Sequence, residues 1–123
     1  MDIEKRNSKI SQENELRKNI ENVMKTKNYS QLENIVIAIN ELLKNIYFNN
    51  TIEFMENLNF SLKDKLLFYL KISECNNVTP TIKNELIPIL IVNFINVNKE
   101  EFLNLLNNDE ILNHFSDFLK SER

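Results

Sequence analysis

No glycine occurs anywhere in the 123 residues, and this absence limits what the chain can build more than any other feature. Glycine enters positive φ without steric cost and lets a backbone approach a phosphate closely. Walker loops, dinucleotide-binding fingerprints and calcium loops each need it at set positions, so all three are excluded. The same absence poses a problem at helix ends, where the left-handed closing residue is usually Gly and otherwise Asn. The chain holds 22 Asn, with pairs at Asn49-Asn50, Asn76-Asn77 and Asn107-Asn108 between apolar runs. Those pairs predict that Asn closes the helices in place of Gly. The remaining Asn excess, beside abundant Ile and Lys and a single Ala (Ala38), matches the codon bias of an A+T-rich genome. A prion-like tract would lack apolar residues, whereas here Asn alternates with Leu, Ile and Phe at helical spacing.

Helical periodicity recurs from end to end and strand alternation does not. Leu16, Ile20, Val23 and Met24 form a narrow stripe on a helix that Ser11 could cap, with residues 1–10 read as a flexible or frayed segment. Ser30-Gln31-Leu32-Glu33 has the form of a capping box. Behind it Leu32, Ile35, Val36, Ile39, Leu42, Leu43 and Ile46 sustain one face; Ile37, Ala38, Tyr47 and Phe48 fall outside it, which predicts burial on more than one side. Asn49-Asn50-Thr51 should break this helix before a short one bearing Ile52, Phe54, Met55 and Leu58. Ser61 with Asp64 opens the next, whose stripe is Leu62, Leu66, Tyr69 and Leu70. Thr79-Pro80 is a strong start, because Thr caps well and Pro at the first helical position loses no needed bond. Ile82–Val97 is apolar nearly all round and is expected to be the central core helix, kinked or restarted near Asn84 by Pro88. Asn98-Lys99-Glu100-Glu101 should cap a short helix, and Asp109 a last one that buries Ile111, Leu112, Phe115, Phe118 and Leu119.

The expected fold is therefore all-α, a single domain of about six to seven helices over residues 11–123. Sliding the chain by 48 residues lays the Asn50–Asn59 stretch on Asn98–Asn107 with Asn, Glu, Phe, Leu and Asn coinciding. Ile39, Leu42, Leu43 and Ile46 fall on Ile87, Leu90, Ile91 and Phe94 at the same offset. This pattern resembles the three-helix units of armadillo/HEAT-type superhelices, whose period is about 40–47 residues. The resemblance implies two tandem units, 30–75 and 78–123, after an N-terminal helix; the alternative is an irregular helical bundle. Two units fall short of the roughly three that a free-standing stack needs, so the N-terminal helix or a partner would have to cover an open end.

Charge and inventory narrow the function. The net charge of −3 lacks the cationic excess that phosphate binding needs. Residues 1–28 carry +2 and the remainder −5. A lone Cys75 excludes an intrachain disulfide and suits a reducing cytoplasm, and the polar, charged start lacks the apolar core of a secretory signal. One His (His114) and one Cys cannot assemble a zinc tetrad. His114 has Glu110 one helical turn earlier, half of a catalytic constellation. No enzyme activity, cofactor or metal is therefore expected. The expected role is a non-enzymatic helical interaction module, an inhibitor or immunity-type binder, adaptor or small assembly subunit, presenting an acidic, partly apolar surface. A basic protein partner is expected, self-association is compatible, and membrane or nucleic acid is not expected. Candidate partner-binding residues are Tyr29, Tyr47 and Phe48 at helix ends, and Glu100, Glu101, Asp109, Glu110 and Asp117 toward the C-terminus. The competing reading is a nucleic-acid-associated regulator contacting phosphates through Arg17, Lys18, Lys25 and Lys27.

Overall fold

Seven helices and no strand account for the backbone that the computed structural model describes, residues 2–121, with side chains described from Gln12 to Lys120. The helices are α1 (Asp2–Thr26), α2 (Leu32–Asn45), α3 (Phe48–Glu56), α4 (Leu62–Ser73), α5 (Ile87–Val97), α6 (Lys99–Leu105) and α7 (Asp109–Ser121). The all-α expectation holds. The contacts divide the chain into two compact units, residues 1–59 with α1–α3 and residues 60–123 with α4–α7. The boundary lies inside the first of the two helix triplets that the 48-residue offset pairs, not near residues 75–78.

In the first unit α1 packs on both α2 and the end of α3. Leu16, Ile20, Val23 and Met24 are all buried, as their spacing predicts. The helix does not begin at Ser11: its backbone is helical from Asp2, while Met1 and the side chains of residues 2–11 lie outside the described residues. Asn45 Nδ2 donates to Gln12 Oε1 at 3.5 Å and joins the end of α2 to the middle of α1. Arg17 places its guanidinium 5.4 Å from the centre of the Phe54 ring, and the Asn59 amide donates to Glu21 Oε2 at 3.0 Å. α2 buries one face only, through Leu32, Ile35, Val36, Ile39 and Leu42. Ile37 is 54 % exposed, so the expectation of burial on several sides fails.

Helix ends depart most from the sequence reading. Ser30 does not cap α2. A 3-10 turn, Tyr29–Gln31, precedes that helix, and the Ser30 hydroxyl donates to Asn28 Oδ1 at 2.7 Å. Asn49 and Asn50 lie within α3; the break comes earlier, at Ile46-Tyr47, where both residues are extended. Among the described residues only Lys27 has positive φ, at 59°, so Asn does not take the left-handed positions. Lys27 closes α1 instead. The Asn28 amide reaches back to the Val23 carbonyl at 3.1 Å, the six-to-one bond of a Schellman ending.

In the second unit α4 packs against α5 and α7, and α5 against α6. Ser61 caps α4 as predicted, its hydroxyl accepting from the Asp64 amide at 3.1 Å. Thr79 also caps as predicted, accepting from the Ile82 amide at 3.4 Å. The most buried helix is α4, in which Leu66 to Leu70, Ile72 and Ser73 are all buried. The helix expected to be central, α5, leaves Ile89, Val92 and Val97 exposed. Pro88 acts through the turn before it. Lacking an N–H, it cannot bond to Asn84, and its ring crowds that carbonyl. The chain widens into a π turn over Ile82–Leu86, with the Ile87 amide reaching five residues back to Ile82. Asn98 fails as the cap of α6: its Nδ2 donates to the Phe94 carbonyl at 3.2 Å and so finishes α5. The cap of α7 is Asn108, whose Oδ1 accepts from the Ile111 amide at 3.1 Å, one residue before the expected Asp109.

Candidate protein-binding surfaces

The candidate residues fall into separate places. Tyr29 and the Tyr47–Phe48 pair sit beyond opposite ends of α2, about 20 Å apart by its fourteen residues, and do not form one site. Tyr29 and Phe48 are half-buried. Tyr47 is 83 % exposed because extended backbone there turns its side chain outward while its carbonyl accepts from the Asn50 and Thr51 amides at 3.0 and 3.1 Å. A depression beside it is lined by Lys44, Asn45, Ile46 and Asn50.

In the second unit Glu100 and Glu101 occupy the first turn of α6, Asp109 and Glu110 that of α7, and all four are exposed, as is Asp117. Carboxylates in a first turn complement the helix dipole. Asp117 lies seven residues after Glu110, on the same face of α7. The opposite flank of that helix is different. Ile111 and Phe118 are buried, whereas Leu112 and Leu119, also seven apart, are exposed, so the sequence reading misplaced both leucines in the core. The cause is packing: Phe115 turns edge-on to Phe102 of α6, centroids 5.3 Å apart, and stacks on Phe118 at 6.4 Å. These rings fill the space under the helix and leave the two leucines beyond them. The outer surface of α7 thus has an apolar flank and an acidic flank. Leu103 on α6 is likewise 64 % exposed.

His114 projects between these flanks and the end of α4. Its Nδ1 lies 2.6 Å from Glu74 Oε2, so the partner comes from another helix and not from Glu110. Against an ionised carboxylate, which only accepts, Nδ1 carries the proton. The pair ties α7 to the end of α4. Cys75, next to Glu74, is half-buried, and its thiol donates to the Lys71 carbonyl at 3.5 Å. No group of three or more His, Cys, Asp and Glu is placed to hold a metal among the described residues.

One feature of the first unit escaped the sequence reading. Between α1 and α2 lies a groove of about 470 Å³. Its rim carries the carboxamides of Asn19, Asn22, Asn28, Gln31 and Asn34, over a floor of Leu16, Val23, Ile35 and Ala38. Ala38 is the chain's single alanine, and its short side chain leaves the gap. The signal was therefore present in the sequence as one small residue one turn from Asn34, but the facing residues of α1 are supplied only by the packing. Of the cations considered for phosphate contact, Arg17 is engaged with Phe54 and with Asn14, whose Oδ1 lies 3.2 Å from its Nη1; Lys18, Lys25 and Lys27 are exposed. No described helix is long and apolar enough to cross a membrane. No protein-family model, curated protein or solved structure matches this chain.

Proposed function

We propose that the chain is a non-enzymatic helical interaction module that binds a protein bearing basic and apolar side chains. The observation that carries this reading is the divided outer surface of α7. Leu112 (43 % exposed) and Leu119 (51 % exposed) line one flank, and Glu110 and Asp117 line the other. Covering exposed leucines at seven-residue spacing lowers the free energy by about 25 cal/mol per Å² of apolar area removed from water. Carboxylates along the rim speed encounter with a basic partner and select against acidic ones. An inhibitor or immunity-type binder, an adaptor and an assembly subunit all fit this surface. The sequence inventory supports the absence of catalysis, with one His, one Cys and no Gly. The compartment that best fits one unpaired Cys is the cytoplasm.

The test is capture from extracts of the source cells on immobilised chain, with native mass measurement of the complex. The wild-type chain should retain a stoichiometric partner that Leu112→Ser/Leu119→Ser loses and that Glu110→Lys/Asp117→Lys weakens as salt-sensitive binding. Equal retention by all three chains, or a wild-type chain that emerges alone and monomeric at every concentration, would refute the proposal.

A further inference from the structure

The groove between α1 and α2 has a chemistry unlike that of the rest of the surface. At 27 % charged residues, nine lining positions would hold about two charged side chains, yet they hold none, and five are carboxamides. General Asn richness does not account for the missing charges. The carboxamides are also unequally occupied. Asn28 Oδ1 accepts from Ser30 Oγ at 2.7 Å, and Gln31 Oε1 accepts from Asn34 Nδ2 at 3.0 Å. That leaves the NH2 groups of Asn28 and Gln31 and the oxygen of Asn34 unbonded among the described residues. Asn19 and Asn22 make no side-chain bond with the described residues and offer both a donor and an acceptor.

We propose that this groove binds an extended, uncharged segment of polypeptide through its main-chain amides, with one small apolar side chain entering over Ala38. A carboxamide presents one N–H and one C=O side by side, the complement of the C=O and N–H that one residue of an extended chain turns to the same edge. Asn19 and Asn22, three residues apart on α1, have Cβ atoms about 5–6 Å apart. An extended chain repeats its outward amides every two residues, about 6.7 Å, which matches that spacing to within side-chain adjustment. The apolar floor excludes a fully polar ligand, and the lining contains no aromatic ring on which a base could stack. The inference goes beyond the interaction reading based on α7. It concerns the other unit and a neutral ligand, and stands or falls separately.

The experiment is selection of phage-displayed random octapeptides on the full chain, followed by binding and NMR measurements with the synthesised, end-capped peptide selected. The enriched sequences should share a run without Asp, Glu, Lys or Arg. The peptide should shift the side-chain NH2 resonances of Asn19 and Asn22. Ala38→Leu, which fills the floor, should weaken binding about tenfold or more. Asn22→Asp, an exposed change that leaves the fold intact, should do the same by removing a donor and adding a charge. N-methylation of alternate peptide amides should abolish binding, and Leu112→Ser/Leu119→Ser should leave it unchanged. The proposal is overturned if no sequence is enriched, if the selected peptides are charged, if binding survives N-methylation or Asn22→Asp, or if it is lost in the α7 variant.

Discussion

Lys27 occupies the one left-handed position among the described residues, and replacing it with glycine should stabilise the protein. Its φ of 59° brings Cβ against its own carbonyl region, a conformation that costs a residue with a side chain about 1–2 kcal/mol. Glycine removes that cost. It also adds backbone freedom to the unfolded chain, which takes back about 0.5–1 kcal/mol. Lys27 is exposed, so no packing is lost, although a cation beyond the end of α1 contributes about 0.3 kcal/mol or more through the helix dipole at low salt. The balance for Lys27→Gly is a gain of about 0.5 kcal/mol at low ionic strength, approaching about 1 kcal/mol where salt screens the dipole. Urea titration followed by circular dichroism at 222 nm should show a higher midpoint at unchanged slope, and the melting temperature should rise by about 2–4 °C. Lys27→Asn should give a smaller gain, Lys27→Ala a small loss, and Lys27→Val the largest loss, since a β-branched residue tolerates positive φ least. If Lys27→Gly instead destabilises by about 1 kcal/mol, as glycine does inside a helix, the left-handed closure of α1 and the Asn28–Val23 bond are refuted.

Four further outcomes are expected. Asn108→Ala should cost about 1 kcal/mol and Asp109→Ala about half that or less, measured by chemical denaturation, because the capping acceptor is the carboxamide oxygen of Asn108. Leu70→Ala should cost about 2–5 kcal/mol, since Leu70 is fully buried in α4, while Leu119→Ala should stay within about 0.5 kcal/mol. Removing the partly exposed His114–Glu74 contact by His114→Ala should cost about 1 kcal/mol or less, the range of a single side-chain hydrogen bond. Pro88→Ala should restore the missing donor and relieve the crowding at the Asn84 carbonyl, so the π turn over Ile82–Leu86 should convert toward regular helix; backbone chemical shifts of residues 82–87 check this, and unchanged shifts would show that Pro88 is not the cause of the turn.

Sequence pattern and structure agree where the signal is local and periodic, and differ where side chains compete for partners. Apolar stripes located the helices well, because burial of Leu16, Ile20, Val23 and Met24, or of Ile35, Val36, Ile39 and Leu42, is a strong and periodic signal. Caps were read correctly where a hydroxyl stands before a single available helix start, at Ser61 and Thr79. They were misread where a polar residue had a rival partner. Ser30 turned to Asn28, and Asn98 turned back to Phe94; each bond is worth about as much as the cap it replaced. The candidate acidic residues were legible as exposed, since first-turn carboxylates rarely do otherwise, but the apolar flank beside them was not.

From composition and periodicity alone come the all-helical class, the absence of glycine-dependent loops and the inner faces of most helices, because each depends on local sterics or on a one-dimensional pattern. Tertiary packing alone decided that Leu112 and Leu119 lie outside the Phe102–Phe115–Phe118 ring cluster, and that α4 is buried more completely than α5. It also decided that Ala38 faces Asn19 and Asn22 across an open groove. A residue's neighbours across a helix interface are set by the angle and depth at which two helices meet. That geometry depends on every side chain in the contact at once and is written at no single position.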